Sequence, residues 1–386
     1  VSRGTSALAV VFLLTLSLVW SAAEDASARP VRIGRYTEIP YGIPAAPWAT
    51  GGGGPRRSGR SEHRAPIEAP TMVWETRLGS SAPSAPLLLT GGELYVGSST
   101  GVTALGADGA VRWNQRLGFV TGTPSLSPSG DIVVGTNAGG LITLRRDGQV
   151  LHRTLVGGAV RTSPLVLDDG SVVVTAFDQA VHRFDAGGRR LYRVTVAAQT
   201  HEPPAWTRDG LLLVPAGDSV HVMTARGERV ASHSLGASIV AGPAVGRDGT
   251  VWALTHDGAL HQFRGRGGPR QRTPLDITVS NVAGIAIGQD GAVRVPGRND
   301  ALVCVGPTGT ERWRVTGEGG FTGEITVDAA DVTLAVSTAG RLLAVDPTGG
   351  IKWRVEVRGR TLSAVVLGED GTIYVATARG TIQAWR

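Results

Sequence analysis

From Met72 to Arg386 the chain is built of short runs in which apolar and polar residues alternate, and nearly every run is bounded by Gly, Asp or Pro. Alternation with a period of two between turn residues predicts short β-strands, and no helical period is sustained anywhere in this region. Two such runs meet in the phrase ALGADGAVRW, Ala104 to Trp113, which returns as AVDPTGGIKW, Ala344 to Trp353. In the first copy the strands flank Asp108-Gly109, a dipeptide whose positive φ angles suit a tight hairpin turn. The turn glycine recurs at or near Gly109, Gly148, Gly188, Gly227, Gly268, Gly309 and Gly349. A spacing of about forty residues signals a repeat architecture.

Eight units follow from Met72. Each opens on a small-residue and proline step, such as Ser84-Ala85-Pro86, Gly122-Thr123-Pro124, Ser163-Pro164 or Gly242-Pro243. A turn follows, commonly Asp-Gly as at Asp169-Gly170, Asp248-Gly249 and Asp370-Gly371, and then a β-branched strand. Those strands are expected at Glu93 to Val96, Asp131 to Val134, Ser171 to Val174, Leu211 to Val214, Thr250 to Ala253, Ala292 to Val295, Val332 to Ala335 and Thr372 to Val375. A third strand ends on Leu105, Leu144, Phe184, Met223, Phe263, Val305, Val345 or Trp385. The fourth carries Trp113, Trp313 or Trp353, with His152 and Tyr192 standing in, and the fifth and sixth units carry no counterpart. Four short antiparallel strands repeated eight times predict an all-β, eight-bladed β-propeller. The last unit lacks a fourth strand, and the repeats begin with an orphan one, Met72-Val73-Trp74. That N-terminal strand is expected to complete the eighth blade and so remove a free sheet edge.

Ahead of residue 72 the pattern changes. Residues 1–23 combine Arg3, an apolar run from Ala7 to Val19 and the small residues Ser21-Ala22-Ala23, the marks of a secretory signal. The run is too short for a spanning helix, so no membrane span is expected in the mature chain. Val1 in place of methionine is what an alternative bacterial start codon gives, and no cysteine follows the apolar run to carry a lipid. The expectation is an exported bacterial protein, periplasmic or secreted. Residues 24–71 read as a Pro-, Gly- and Arg-rich lead-in, flexible or draped over the surface. Its Gly51 to Gly54 run lacks the flanking strand, helix and Lys-Ser/Thr pair of a phosphate loop.

Composition narrows the function. The formal charge is +6, but the arginines beyond the leader are scattered and often stand beside acids, so no nucleic-acid partner is expected. One cysteine, Cys304, excludes an intrachain disulfide framework. It falls where Ala104, Ala344 and Ala384 fall, and reads as a buried, inert thiol. The tryptophans Trp74, Trp113, Trp313 and Trp353, with the small residues Ala104, Ala344 and Ala384, are expected to dock blade on blade. His182, His221 and His261 share one repeat position in successive units, and equivalent positions lie about 10 Å apart in stacked sheets. That is too far for a common zinc ion, so packing rather than a metal is expected there. The turn acids, Asp108 and Asp209 among them, read as turn geometry. His201-Glu202-Pro203-Pro204 breaks the small-proline step and is expected to shape the channel or a loop.

The ALGADGAVRW and AVDPTGGIKW phrases resemble the tryptophan-docking repeat of the pyrroloquinoline-quinone-type propellers over residues 72–386. The stretch from Trp48 through Gly59 to Pro66 is similar to the usual lead-in of exported members. The resemblance implies one of two functional branches, quinoprotein dehydrogenases or the non-catalytic propeller subunit of the outer-membrane β-barrel assembly machinery. The first is typically longer, with a pair of adjacent cysteines and a calcium site, whereas this chain has one cysteine and no large insertion. The expected function is therefore a non-catalytic scaffold with an envelope protein partner and no cofactor, catalytic residue or metal ligand. A small quinone-binding or quinone-dependent oxidoreductase, or a carbohydrate-binding or sensor module, is the alternative. Nothing in the repeat fixes the oligomeric state.

Overall fold

A computed structural model describes residues 46–81, 84–199, 201–280, 284–359, 361 and 365–386; residues 1–23 and the start of the lead-in lie outside them. Alternating runs between Asp-Gly and Gly turns form eight four-stranded antiparallel sheets. We number the blades from the first complete one, spanning 87–116, 125–155, 165–195, 205–234, 239–274, 286–315 and 326–356 for blades 1 to 7. Blade 8 joins the strand Met72–Arg77 to Val366–Leu367, Ile373–Thr377 and Thr381–Trp385. The N-terminal strand pairs in antiparallel register with the last one, Trp74 opposite Ala384 and Arg77 opposite Thr381. The expected closure is thus the observed one.

The strands predicted after the first turn begin within a residue of their observed starts, at Leu94–Gly97, Ile132–Gly135 or Thr250–Thr255, for example. They run further at the far end because the alternation continues into buried small residues. Inner and middle strands are buried on both faces, whereas the fourth strands alternate between half-buried and exposed positions. The core is therefore a series of apolar layers between neighbouring blades. Leu105, Leu144, Phe184, Met223, Phe263 and Val305 are fully buried in those layers. The blades without an aromatic at the tryptophan position are 4 and 5, with Ala231 and Gln271, while the sixth holds Trp313. The offset from the expected fifth and sixth units arises because the N-terminal strand is itself the first of the tryptophan-bearing strands.

The described part of the lead-in is neither flexible nor draped outside. It runs past the innermost strands in ring order, bonding to each just before its first hairpin turn. Leu88 N–H donates to Trp48 O at 3.0 Å, Leu126 N–H to Ala49 O at 3.0 Å and Trp206 N–H to Pro55 O at 2.9 Å. Val245 N–H then donates to Arg56 O, Ile287 N–H to Ser58 O and Val327 N–H to Gly59 O, all at 2.8–2.9 Å. At blade 3 side chains make the link, with Arg57 Nη2 donating to Ser163 O at 3.0 Å. Residues 48–61 thus form a strap around the bore that touches blades 1 to 7. Gly53 has φ +84°, and a side chain on Gly51 would meet Ser163 Oγ at 2.5 Å, so the glycine run serves backbone shape and close approach.

Two arginines anchor the strap. Arg57 donates to Pro204 O, Thr50 Oγ1, Gly51 O and Pro164 O as well as to Ser163 O. Arg60, 3% exposed in its side chain, bonds Asp331 Oδ1 at 2.8 Å and Ala329 O at 3.3 Å. Removing one member of a buried ion pair strands the other in low dielectric, at a cost of about 3 kcal/mol. Arg60→Met should lower the unfolding free energy by about that amount in urea titrations at neutral pH, and an unchanged midpoint would deny the strap a stabilising role.

Candidate functional site

The repeat places its tryptophans at the seams between blades, near the solvent edge. Trp113 stands opposite Ala104, Trp353 opposite Ala344, Trp74 opposite Ala384 and Trp313 opposite Cys304. Where the tryptophan is lost the opposing residue is larger, Val222 facing Ala231 and Gln262 facing Gln271. Each indole reaches across its seam. Trp74 Nε1 donates to Ala107 O at 2.9 Å, Trp113 Nε1 to Arg146 O at 2.7 Å and Trp313 Nε1 to Pro347 O at 2.9 Å. Trp353 Nε1 donates to Pro66 O of the lead-in at 2.9 Å, because blade 8 has no outer turn of its own. The rings lie over the turn glycines: a side chain on Gly148, whose φ is +90°, would meet Trp113 Cδ2 at 2.9 Å. Turn shape and ring packing therefore both require glycine.

Other seams reach the same turn by other donors. Arg183 Nη1 donates to Ala225 O at 2.5 Å, and Gln262 Nε2 to Pro307 O at 3.0 Å. His233 Nε2 lies 3.0 Å from Gly265 O. This substitution of donors was invisible in the sequence because the residues come from different strands and share no type.

The remaining sequence candidates resolve into structural roles. His182, His221 and His261 are buried, and each finds a partner within its own blade: Asp178 at 3.1 Å, Ser232 Oγ at 2.9 Å and Thr255 Oγ1 at 3.1 Å. Among the described residues no group of three or more His, Cys, Asp or Glu could hold a metal ion. Cys304 is buried, and that burial pushes its thiol up, away from the reactive thiolate. Asp108 accepts the N–H of Ala110 and Asp370 that of Thr372, whereas after Asp209 the Leu211 N–H donates to Thr207 Oγ1 instead. His201-Glu202-Pro203-Pro204 borders the bore, Pro204 O accepting from Arg57.

The bore also holds two carboxyls. Burial pushes Glu202 well above the usual carboxylate range, Glu324 adds to the effect and Arg57 opposes it. Glu324 is likewise raised by burial, against Arg57 and the Gly52 N–H. The strap that carries Arg57 runs beside them.

Eight four-stranded blades, with indole-to-turn hydrogen bonds at three of the seams, define a tryptophan-docked propeller of the pyrroloquinoline-quinone type. A family model described as "Outer membrane protein assembly factor BamB" matches residues 98–295 and 298–385, and the chain belongs to that family. Among solved structures it is similar to BamB from Moraxella catarrhalis, at 19% identity and a TM-score of 0.66, covering 82% of this chain and 97% of that one. It is similar in fold to the quinohemoprotein alcohol dehydrogenase from Comamonas testosteroni, at 12% identity and a TM-score of 0.73 over 88% of this chain and 80% of that one. A europium-containing methanol dehydrogenase aligns at 14% identity and a TM-score of 0.69 over 86% and 89% of the two chains. No curated protein matches the sequence significantly.

If the indoles dock the blades, Trp313→Ala should cost roughly 3–5 kcal/mol by leaving a cavity and an unpaired Pro347 carbonyl; equal stability of wild type and variant in chemical denaturation would refute that role. The histidine column sets a pH dependence. Burial holds His182, His221 and His261 below the usual histidine range, Asp178 only partly offsetting it at His182. A histidine kept neutral in the fold takes up its proton more readily when unfolded, so its contribution is full above about pH 6.5 and is lost as pH falls below that value. The urea midpoint should drop between pH 7 and pH 5, and the triple variant H182Q/H221Q/H261Q should show a flatter profile. Parallel profiles would exclude the histidines as the source.

Proposed function

We propose that this chain is a non-catalytic scaffold of the bacterial envelope, exported by its N-terminal signal segment, that takes part in outer membrane protein assembly by binding protein partners. The observation that carries this reading is the family match over most of the propeller. The architecture supports it. The chain's own strap lines the bore, and the histidine column and the cysteine are buried among structural neighbours. The outer strands of the blades leave their edges and alternate side chains exposed, Leu155 and Leu191 among them, which suits recognition of loops or strands from another protein. The docking residues Trp74, Trp113, Trp313 and Trp353, with Ala104, Ala344 and Ala384, keep those surfaces in register without touching a partner.

Cross-linked capture of the tagged protein from its native envelope should recover a barrel-assembly protein, and removal of the gene should lower the amount of folded outer-membrane barrels. Normal barrel levels with no assembly protein enriched would overturn the assignment.

A further inference from the structure

The seam between blades 2 and 3 is bridged to the outer turn by a hydroxyl, Thr154 Oγ1 donating to Gly188 O at 2.9 Å, and lacks the N–H donor that the other seams deliver there. At the tryptophan position blade 2 carries His152, whose Nε2 pairs with Thr143 Oγ1 of its own blade at 3.0 Å. The carbonyl that an indole would reach, Ala186 O two residues before Gly188, takes no hydrogen bond among the described residues. The shorter ring leaves a groove of about 420 Å³ that opens on the turn face and is lined by Val133, Leu141, Leu151 and Val172 on its apolar side. Asp131 and Asp168 line it as well, and neither forms an ion pair among the described residues. Asp168 Oδ1 is buried without a hydrogen-bond partner. Burial, and then the neighbouring Asp169, push that carboxyl above its ordinary range, as expected of an acid waiting for a donor.

The next seam shows what fits. There Arg183 lies across the interface, Nη1 donating to Ala225 O at 2.5 Å, Nη2 to Asp169 Oδ2 at 2.6 Å and Nε to Ser171 Oγ at 2.9 Å. By register Thr143 opposite His152 is the counterpart of Arg183 opposite Tyr192. Ala186 corresponds to Ala225, while Ser129 and Asp131, joined by a hydrogen bond, take the places of Asp169 and Ser171. Blade 2 therefore keeps the acceptors of an arginine-binding seam and lacks the arginine.

We propose that the groove between blades 2 and 3 receives an arginine side chain presented by a protein partner. Its guanidinium donates to the Ala186 carbonyl and to the carboxylates of Asp131 and Asp168, and its methylenes lie on Val133 and Leu151. A planar fork with several donors suits three acceptors on different turns better than a point-charge ammonium does. The assignment names the surface used by the scaffold proposed above and rests on that reading for its partner.

The test is an NMR titration of the purified protein with N-acetyl-arginine methylamide, with the neutral citrulline analogue as a probe of matched shape. The arginine probe should give saturable shifts at the amides of residues 168–170 and 186–188, with at least tenfold weaker binding of the citrulline probe. Thr143→Arg, which supplies the side chain in cis as Arg183 does, should abolish the response, and the isosteric change Asp131→Asn, at a half-buried turn position, should weaken it at least fivefold with the fold intact. Absence of saturable shifts, equal affinity for citrulline, or undiminished binding in both variants would overturn the proposal. The titration contains no envelope component, so its failure leaves the assembly role standing, and failure of that role leaves a measured arginine site.

Discussion

Closure of the ring is the constraint on which everything else depends. A stack of twisted four-stranded sheets leaves two free edges unless its ends meet, and here they meet through one strand pair, Met72–Arg77 with Thr381–Trp385. Because the two partners come from opposite ends of the propeller, no blade can be removed without changing the angle at every seam. The strap adds a second circuit inside the first. Its hydrogen bonds run to the inner strands in ring order, so bore and rim are tied by separate sets of backbone contacts.

Between those circuits the seams carry the variation. Indoles, an arginine, a histidine and glutamines all solve one geometric problem, delivering an N–H to the outer turn of the next blade. The solutions differ in reach and charge, and the surface over each seam differs with them. A repeat that must stack uniformly can thus present a distinct chemical face at one seam, which is how a scaffold acquires direction.

Much of this was legible in the sequence. The Asp-Gly and Gly turns, the β-branched runs and the recurring tryptophan fixed strand order and blade number, because each is a local signal repeated many times. Small residues opposite the tryptophans could be read for the same reason. The strap could not. Its glycines and arginines have no period, and their partners, such as Asp331 for Arg60, lie 271 residues away. The donors replacing tryptophan were hidden because Arg183 sits on the third strand and Trp113 on the fourth. The groove at blade 2 is legible only by comparison between seams, since it consists of a missing side chain.

The strap orders events in time as well as in space. Its residues are made before any blade, yet the Gly59 carbonyl and the Ser61 N–H find their partner only when Val327 of blade 7 has been delivered. A segment made ahead of the blades is thus satisfied in part only by one of the last of them, and contacts of such long range make for slow folding. A chain of this design becomes locked only once its last blades are in place. The same contacts then work in reverse, since opening one seam leaves the strap bonded to the blades on either side and gives a protease little unfolded backbone to seize.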